Sequence, residues 1–206
     1  MGWQDYVTIP AASAGEMDSV YPVRKVDASV PLTQHLGVLG LTGLTAYIGM
    51  VDVGQVRAGD TVVVSGAAGA TGSVAGQIAK IAGARVIGIA GGPEKCRWLT
   101  ERGGFDAAID YRHERVSRRL RQLAPDGVSL CFDNVGGDVL DAMLLNLALR
   151  ARVVVCGGIS GGYGTTLPAG PKHYMQLVVR SARMEGFLVL HYRDRYDAAL
   201  AELKGW

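Results

Sequence analysis

The sequence predicts an α/β protein built on a doubly wound, parallel, six-stranded sheet, and three observations predict it. A β-branched run, Thr61-Val-Val-Val-Ser65, ends in a turn of small residues, Gly66-Ala-Ala-Gly69-Ala-Thr-Gly72. Apolar residues at helical spacing follow (Val74, Ile78, Ile81), and beyond the helix-stopping Gly83 a second strand-like run, Arg85-Val-Ile-Gly-Ile-Ala90, closes a βαβ unit. The same alternation of strand and helix then continues to the end of the chain.

Taken in order, Phe105 to Tyr111 reads as the third strand, after Gly103-Gly104. Arg112 to Arg121 is a basic stretch whose Val116, Leu120 and Leu123 keep an apolar stripe, so its arginines read as the wet face of a helix. Val128 to Phe132 is the fourth strand, Asp133-Asn-Val-Gly-Gly137 a loop, and Leu140, Met143, Leu144 and Leu147 mark the next helix. The fifth strand, Arg152 to Cys156, opens into a glycine-rich loop from Gly157 to Gly164. A helix around Lys172 to Arg180 leads to a sixth strand, Met184 to Leu190, and Tyr196, Leu200 and Leu203 mark the last helix. No internal repeat is evident.

Composition narrows the classes. With 206 residues, 49% hydrophobic content and 29 glycines, the chain suits one α/β domain, or one and a fraction, with many tight βα turns. A net charge of +2 implies no general affinity for nucleic acid or anionic membrane. Cys96, Cys131 and Cys156 show neither C-x-x-C nor Cys/His metal spacing and read as reduced thiols. Ala28 to Val51 carries no Asp, Glu, Lys or Arg, but Pro31, Thr33, Gln34, His35 and four glycines make a buried loop and helix the better reading than a membrane span. The N-terminus shows no basic-then-apolar signal, so cytoplasm is the expected location.

The loop after the first strand carries the chemistry. Backbone N–H groups at a helix N-terminus, with the positive end of its dipole, hold a diphosphate, and small residues let the phosphate approach the main chain. The pattern is A-x-G-x-x-G over Ala67, Gly69 and Gly72. A glycine-rich turn can also join strand to helix for steric reasons alone, and it is the βαβ context that favours a dinucleotide. The end of the second strand chooses which one. NAD enzymes place an acid about twenty residues past the glycines. Here Ala90, Gly91 and Gly92 stand there, followed by Lys95 and Arg97. These could be a solvated helix face, but positive charge with room for a 2′-phosphate favours NADP over NAD.

These residues resemble the zinc-independent medium-chain dehydrogenases/reductases, specifically the leukotriene B4 12-hydroxydehydrogenase, prostaglandin reductase and alkenal double-bond reductase branch. The likeness rests on Gly40-Leu-Thr-Gly-Leu-Thr-Ala-Tyr47, Gly66-Ala-Ala-Gly-Ala-Thr-Gly-Ser73 with Gly76-Gln-Ile-Ala-Lys80, Glu94-Lys95 and Asp110-Tyr111. Phe132-Asp-Asn-Val-Gly-Gly137, Cys156-Gly-Gly-Ile-Ser160 and Glu185-Gly-Phe187 continue it in the family's order.

The resemblance implies a Rossmann domain in which Gly69, Ala70, Thr71 and Gly72 hold the diphosphate of NADP(H) and Lys95 and Tyr111 contact the 2′-phosphate. It implies that Asn134 and the loop of Cys156, Gly157, Gly158, Ile159, Ser160 and Tyr163 line the ribose and nicotinamide, with Phe187, Leu188 and Val189 near the carboxamide. The family loop places its tyrosine two residues after the serine and follows it with Asn; here Ser160-Gly-Gly-Tyr163-Gly has one residue more and no Asn. Residues 1–33 resemble the tail of a GroES-like β domain and 34–206 the NADP-binding domain, both ends of the family's chain being absent. The implied activity is metal-free hydride transfer to the β-carbon of an enone or alkenal, with Tyr163 as hydrogen-bond donor to the developing enolate. A quinone reductase of the same superfamily and a non-catalytic NADP-binding fragment are the alternatives. The resemblance also implies a possible homodimer through the outer edge of the last strand.

Overall fold

The structure is a computed structural model and describes residues 25–162 and 169–206. Most of the expected β-domain tail, and Tyr163, lie outside the described residues.

Six parallel strands form one sheet: β1 (Thr61–Ser65), β2 (Arg85–Ala90), β3 (Ala107–Asp110), β4 (Val128–Asp133), β5 (Leu147–Val155) and β6 (Arg183–Gly186). Their spatial order is β3-β2-β1-β4-β5-β6, so the direction of winding reverses between β1 and β4. That reversal opens the crevice where ligands of such sheets sit. Before β1 come α1 (Leu32–His35) and α2 (Leu41–Tyr47), the latter running on into a π-helical segment, Ile48–Val53. The crossovers contain α3 (Ala70–Ile81), α4 (Pro93–Glu101), α5 (Val116–Leu123), α6 (Gly137–Leu144) and the short α7 (Gln176–Val179); α8 (Tyr196–Gly205) follows β6.

The β-branched run of β1 follows from burial on both faces, which a central parallel strand requires. Alternate residues enter different cores. Val62 and Val64 join Val86, Leu130, Phe132 and Val154 under Tyr47, Ile48, Ile78, Leu99 and Ala199. Val63 joins Ile87, Ile109, Cys131 and Val153 under Leu120, Met143 and Leu144. The register agrees, since Val63 stands opposite both Ile87 and Cys131.

Several element readings are corrected. Leu147 does not continue a helix; α6 ends at Leu144, Asn146 caps it through a side-chain bond to the Ala142 carbonyl at 2.7 Å, and Leu147 begins β5. An apolar residue there satisfies a buried strand as well as a helix. Ile81 leaves the apolar stripe of α3 and is 53% exposed. The arginine-rich helix starts only at Val116, so Arg112 belongs to the turn after β3. The sixth strand stops at Gly186, leaving Phe187 and Leu188 as connection and Val189 at the start of a 3-10 segment that runs to Arg195. The charge-poor stretch from Ala28 to Val51 is broken into short helices, and no helix among the described residues is long and apolar enough to cross a membrane.

Candidate functional site

At the reversal point, the chain leaves β1 through Gly66, whose φ of +59° is a left-handed conformation that favours glycine. Gly69 N–H bonds back to the Gly66 carbonyl at 2.9 Å, and Ser73 N–H makes the first bond of α3, to Gly69. The amides of Ala70, Thr71 and Gly72 therefore stand at the helix end without acceptors inside the helix, where its positive dipole end also lies. Gly72 cannot be larger: a Cβ there would overlap the Gly66 carbonyl oxygen. The loop thus lies close against the helix and offers bare main chain.

This loop walls a cavity of about 660 Å³. Gly69, Ala70, Thr71, Gly72, Lys95, Tyr111, Asn134, Ile159 and Ser160 all line it. So do Gly66, Ala68, Val135, Gly136, Asp138 and Val139, which the sequence reading left out. The cavity size suits a nucleotide-sized ligand. Its donor set fits a phosphorylated one, with exposed amides at one end and the Lys95 ammonium at another. Among the described residues Asp138 is the one acid on its wall, and Lys172 sits 3.3 Å from it.

Where β2 meets the cavity, Ile89, Ala90 and Gly91 close the strand with no carboxylate among them. The nearby acid, Asp110, is turned to a structural task. Its Oδ1 accepts the amides of Gly92 (2.9 Å) and Arg112 (3.0 Å), and its Oδ2 lies 2.7 Å from His113 Nδ1. The Gly92 amide, aided by His113 and Arg112, holds this carboxyl at about 2, below the usual range. Asp110 thereby ties the β2–α4 turn, which leads into Lys95 in the first turn of α4, to the turn after β3, which carries Tyr111.

At the other side, Asp133 ends β4 wholly buried. Its Oδ1 accepts from Ser65 Oγ at 2.6 Å and from the Val135 amide at 3.2 Å, while Oδ2 accepts the Gly136 amide at 2.9 Å. Burial pushes this carboxyl above its ordinary value, and those three donors draw it partly back. Ser65 Oγ in turn accepts the Asn134 amide, and Asn134 Nδ2 donates to the Ser65 carbonyl at 2.7 Å. Asn134 is thereby held against the end of β1. The asparagine was legible as a candidate; the buried Ser65–Asp133 pair that seats it carries no distinctive motif.

The Cys156 and Gly157 amides donate to the Asp133 carbonyl, and Gly158 lies beside Gly136, so this loop packs on the β4 turn; none of the three lines the cavity wall. Burial, with the nearby Asp133 charge, pushes the Cys156 thiol up to about 11, so it is no thiolate nucleophile near neutral pH. Ser160 Oγ donates to the Val135 carbonyl. Phe187, Leu188 and Val189 also stand off the cavity wall. Phe187 packs on Gly49 and meets Tyr192 edge to face at 6.3 Å, Leu188 is half exposed, and Val189 is buried in the core. Among the described residues no group of three or more His, Cys, Asp or Glu is placed to hold a metal ion.

Known proteins share the sequence and fold of this chain. The profile of the family described as zinc-binding dehydrogenase matches residues 70–205. The NADPH-dependent curcumin reductase of Escherichia coli is 38% identical over 100% of this chain and 59% of its own. The NADP(+)-dependent 2-alkenal reductase of Nicotiana tabacum is 40% identical over 97% of this chain and 56% of its own. The crystal structure of CurA from Vibrio vulnificus in complex with NADPH superposes with a TM-score of 0.78 at 42% identity, covering 84% of this chain and 53% of that one. The chain thus spans between half and three-fifths of the length of the proteins it matches.

Proposed function

Since this chain belongs to the zinc-binding dehydrogenase family, in its zinc-independent medium-chain dehydrogenase/reductase branch, we propose that it binds NADP(H) in the cavity at the β1/β4 reversal and serves an NADPH-dependent reductase of α,β-unsaturated ketones or aldehydes. The observation that carries this reading is the joint lining of one cavity by the open amides of α3, by Lys95 and Tyr111, and by Asn134.

In this reading the amides of Ala70, Thr71 and Gly72 bind the diphosphate. Lys95 and the Tyr111 hydroxyl take the adenosine 2′-phosphate, a role that an acid at the end of β2 would oppose by repulsion. Asn134, held by Ser65, positions the ribose, and the loop through Ile159 and Ser160 shields the nicotinamide end from water. Cys156, Gly157 and Gly158 shape that loop. Phe187, Leu188 and Val189 support the carboxamide side from behind the wall.

NADPH held by these residues would supply the hydride for the β-carbon of the substrate. The electron pair displaced from the C=C bond moves onto the carbonyl oxygen, and a hydrogen-bond donor at that oxygen stabilises the enolate. Tyr163 is proposed for that role, because a phenol of ordinary pKa near 10 donates well and abstracts poorly. Protonation of the α-carbon from solvent completes the reduction.

A test follows NADPH consumption with an alkenal and, separately, with a quinone. Turnover of the alkenal supports the reading. Turnover of the quinone alone assigns the chain to the quinone reductases, and NADPH binding without either turnover makes it a cofactor-binding module. A homodimer through the open edge of β6 is part of the same proposal.

A further inference from the structure

The basic stretch after β3 divides into two parts, and only the second is a helix face. Arg112 sits in the turn before α5, off the cavity wall itself but against Gly91, which is on it. A Cβ built on Gly91 would lie 2.9 Å from Arg112 Nε and 2.9 Å from the Tyr111 ring. Both side chains therefore cover the bare face of Gly91, a residue of the cavity wall. Arg112 Nη1 also lies 4.0 Å from the corresponding point on Gly92.

The guanidinium has charge to offer. Among the described residues no carboxylate forms an ion pair with Arg112 or with Lys95. Asp110, the acid best placed to neutralise Arg112, directs its oxygens to the amides of Gly92 and Arg112 itself and to the His113 ring. The main chain of Arg112 is thus fixed while its side chain stays without an ion pair against Gly91 and Gly92.

We propose that Arg112 is a specificity-determining residue for the coenzyme, its guanidinium binding the 2′-phosphate as a fork while Lys95 supplies a point charge. This deepens the NADP(H) reading and rests on it. A planar guanidinium presents two parallel N–H donors to two phosphoryl oxygens, which an ammonium cannot do. Two such charge-assisted bonds are worth about 10- to 100-fold in affinity.

The test is calorimetric titration of the wild type, Arg112→Ala and Arg112→Lys with NADPH, NADH and adenosine 2′-monophosphate. Arg112→Ala weakens NADPH and the monophosphate about 10- to 100-fold and leaves NADH unchanged. Arg112→Lys recovers only part of the loss, because charge without the fork is restored. Equal thermal midpoints for the three proteins separate this from a folding defect. Wild-type binding of NADPH with an unaltered NADPH-to-NADH ratio in Arg112→Ala overturns this inference alone. A wild type that binds neither coenzyme overturns it together with the reading beneath it.

Discussion

Ser65 Oγ donates to Asp133 Oδ1 at 2.6 Å, both residues wholly buried, across the two strands between which the sheet reverses its winding. The same hydroxyl oxygen accepts the Asn134 amide at 2.8 Å. One buried contact therefore fixes the separation of β1 and β4 at their carboxyl ends and the seat of the asparagine facing the cavity.

Ser65→Ala removes the donor to Asp133 and the acceptor for Asn134 together. Leaving a buried carboxyl and a part-buried amide each short of a partner costs about 1–3 kcal/mol. Urea unfolding should show that loss. NADPH binding should weaken as well, because Asn134 loses one of its two bonds to Ser65 and keeps only that of its side chain to the Ser65 carbonyl.

The pH dependence of stability carries the signature of Asp133. Burial raises its folded value above the ordinary 3.8, so the fold holds that proton more tightly than the unfolded chain does. Its contribution is complete below the ordinary value and is lost as pH rises through the raised one. Asp110, held at about 2, acts oppositely, its contribution present above the ordinary value and lost as pH falls toward 2. Asp133→Asn abolishes only the first effect. The stability of wild type minus that of Asp133→Asn should therefore fall with rising pH above 3.8. Unfolding curves across that range check it, and a difference that grows with pH is the opposite outcome.

Gly76 on α3 leaves room for the Phe105 ring, onto which an added Cβ would fall directly. Phe105 is only 3% exposed and packed in the core. Gly76→Ala should destabilise the domain by about 1–3 kcal/mol through overpacking. Thermal unfolding reads the loss, while titration of the folded fraction should give wild-type NADPH affinity, since Gly76 is off the cavity wall.

At the far edge of the sheet, β6 pairs among the described residues only with β5, and Arg183, Met184, Glu185 and Gly186 are all exposed. Val178 and Val179 beside it are about two-thirds exposed. Unpaired strand edges with apolar neighbours invite pairing. Sedimentation should find a dimer that Val178→Glu with Val179→Glu dissociates. An unchanged sedimentation coefficient in the double variant places the interface elsewhere.

Much of the fold was legible because its signals are local. The β-branched run of β1, the small residues to Gly72 and the stop at Gly83 each settle a conformation within a few positions. The errors lie where two structures suit the same residue. Leu147 is apolar whether it ends a helix or starts a buried strand, and Ile81 is apolar although α3 turns it outward. Arg112 was grouped with the arginines of α5 because charge pattern does not reveal where a turn becomes a helix. The Ser65–Asp133 pair was out of reach for a different reason: it joins residues from separate strands, and nothing local to either announces the other.

The central claim is that open amides and an unopposed cationic pocket select NADP(H). Isothermal titration of the folded wild-type protein with NADPH and then NADH tests it most directly, with Lys95→Ala as the control for charge. The account predicts heat with NADPH, weaker binding of NADH, and a smaller difference between the two in Lys95→Ala. No heat with either coenzyme, or equal affinity for both, would contradict it.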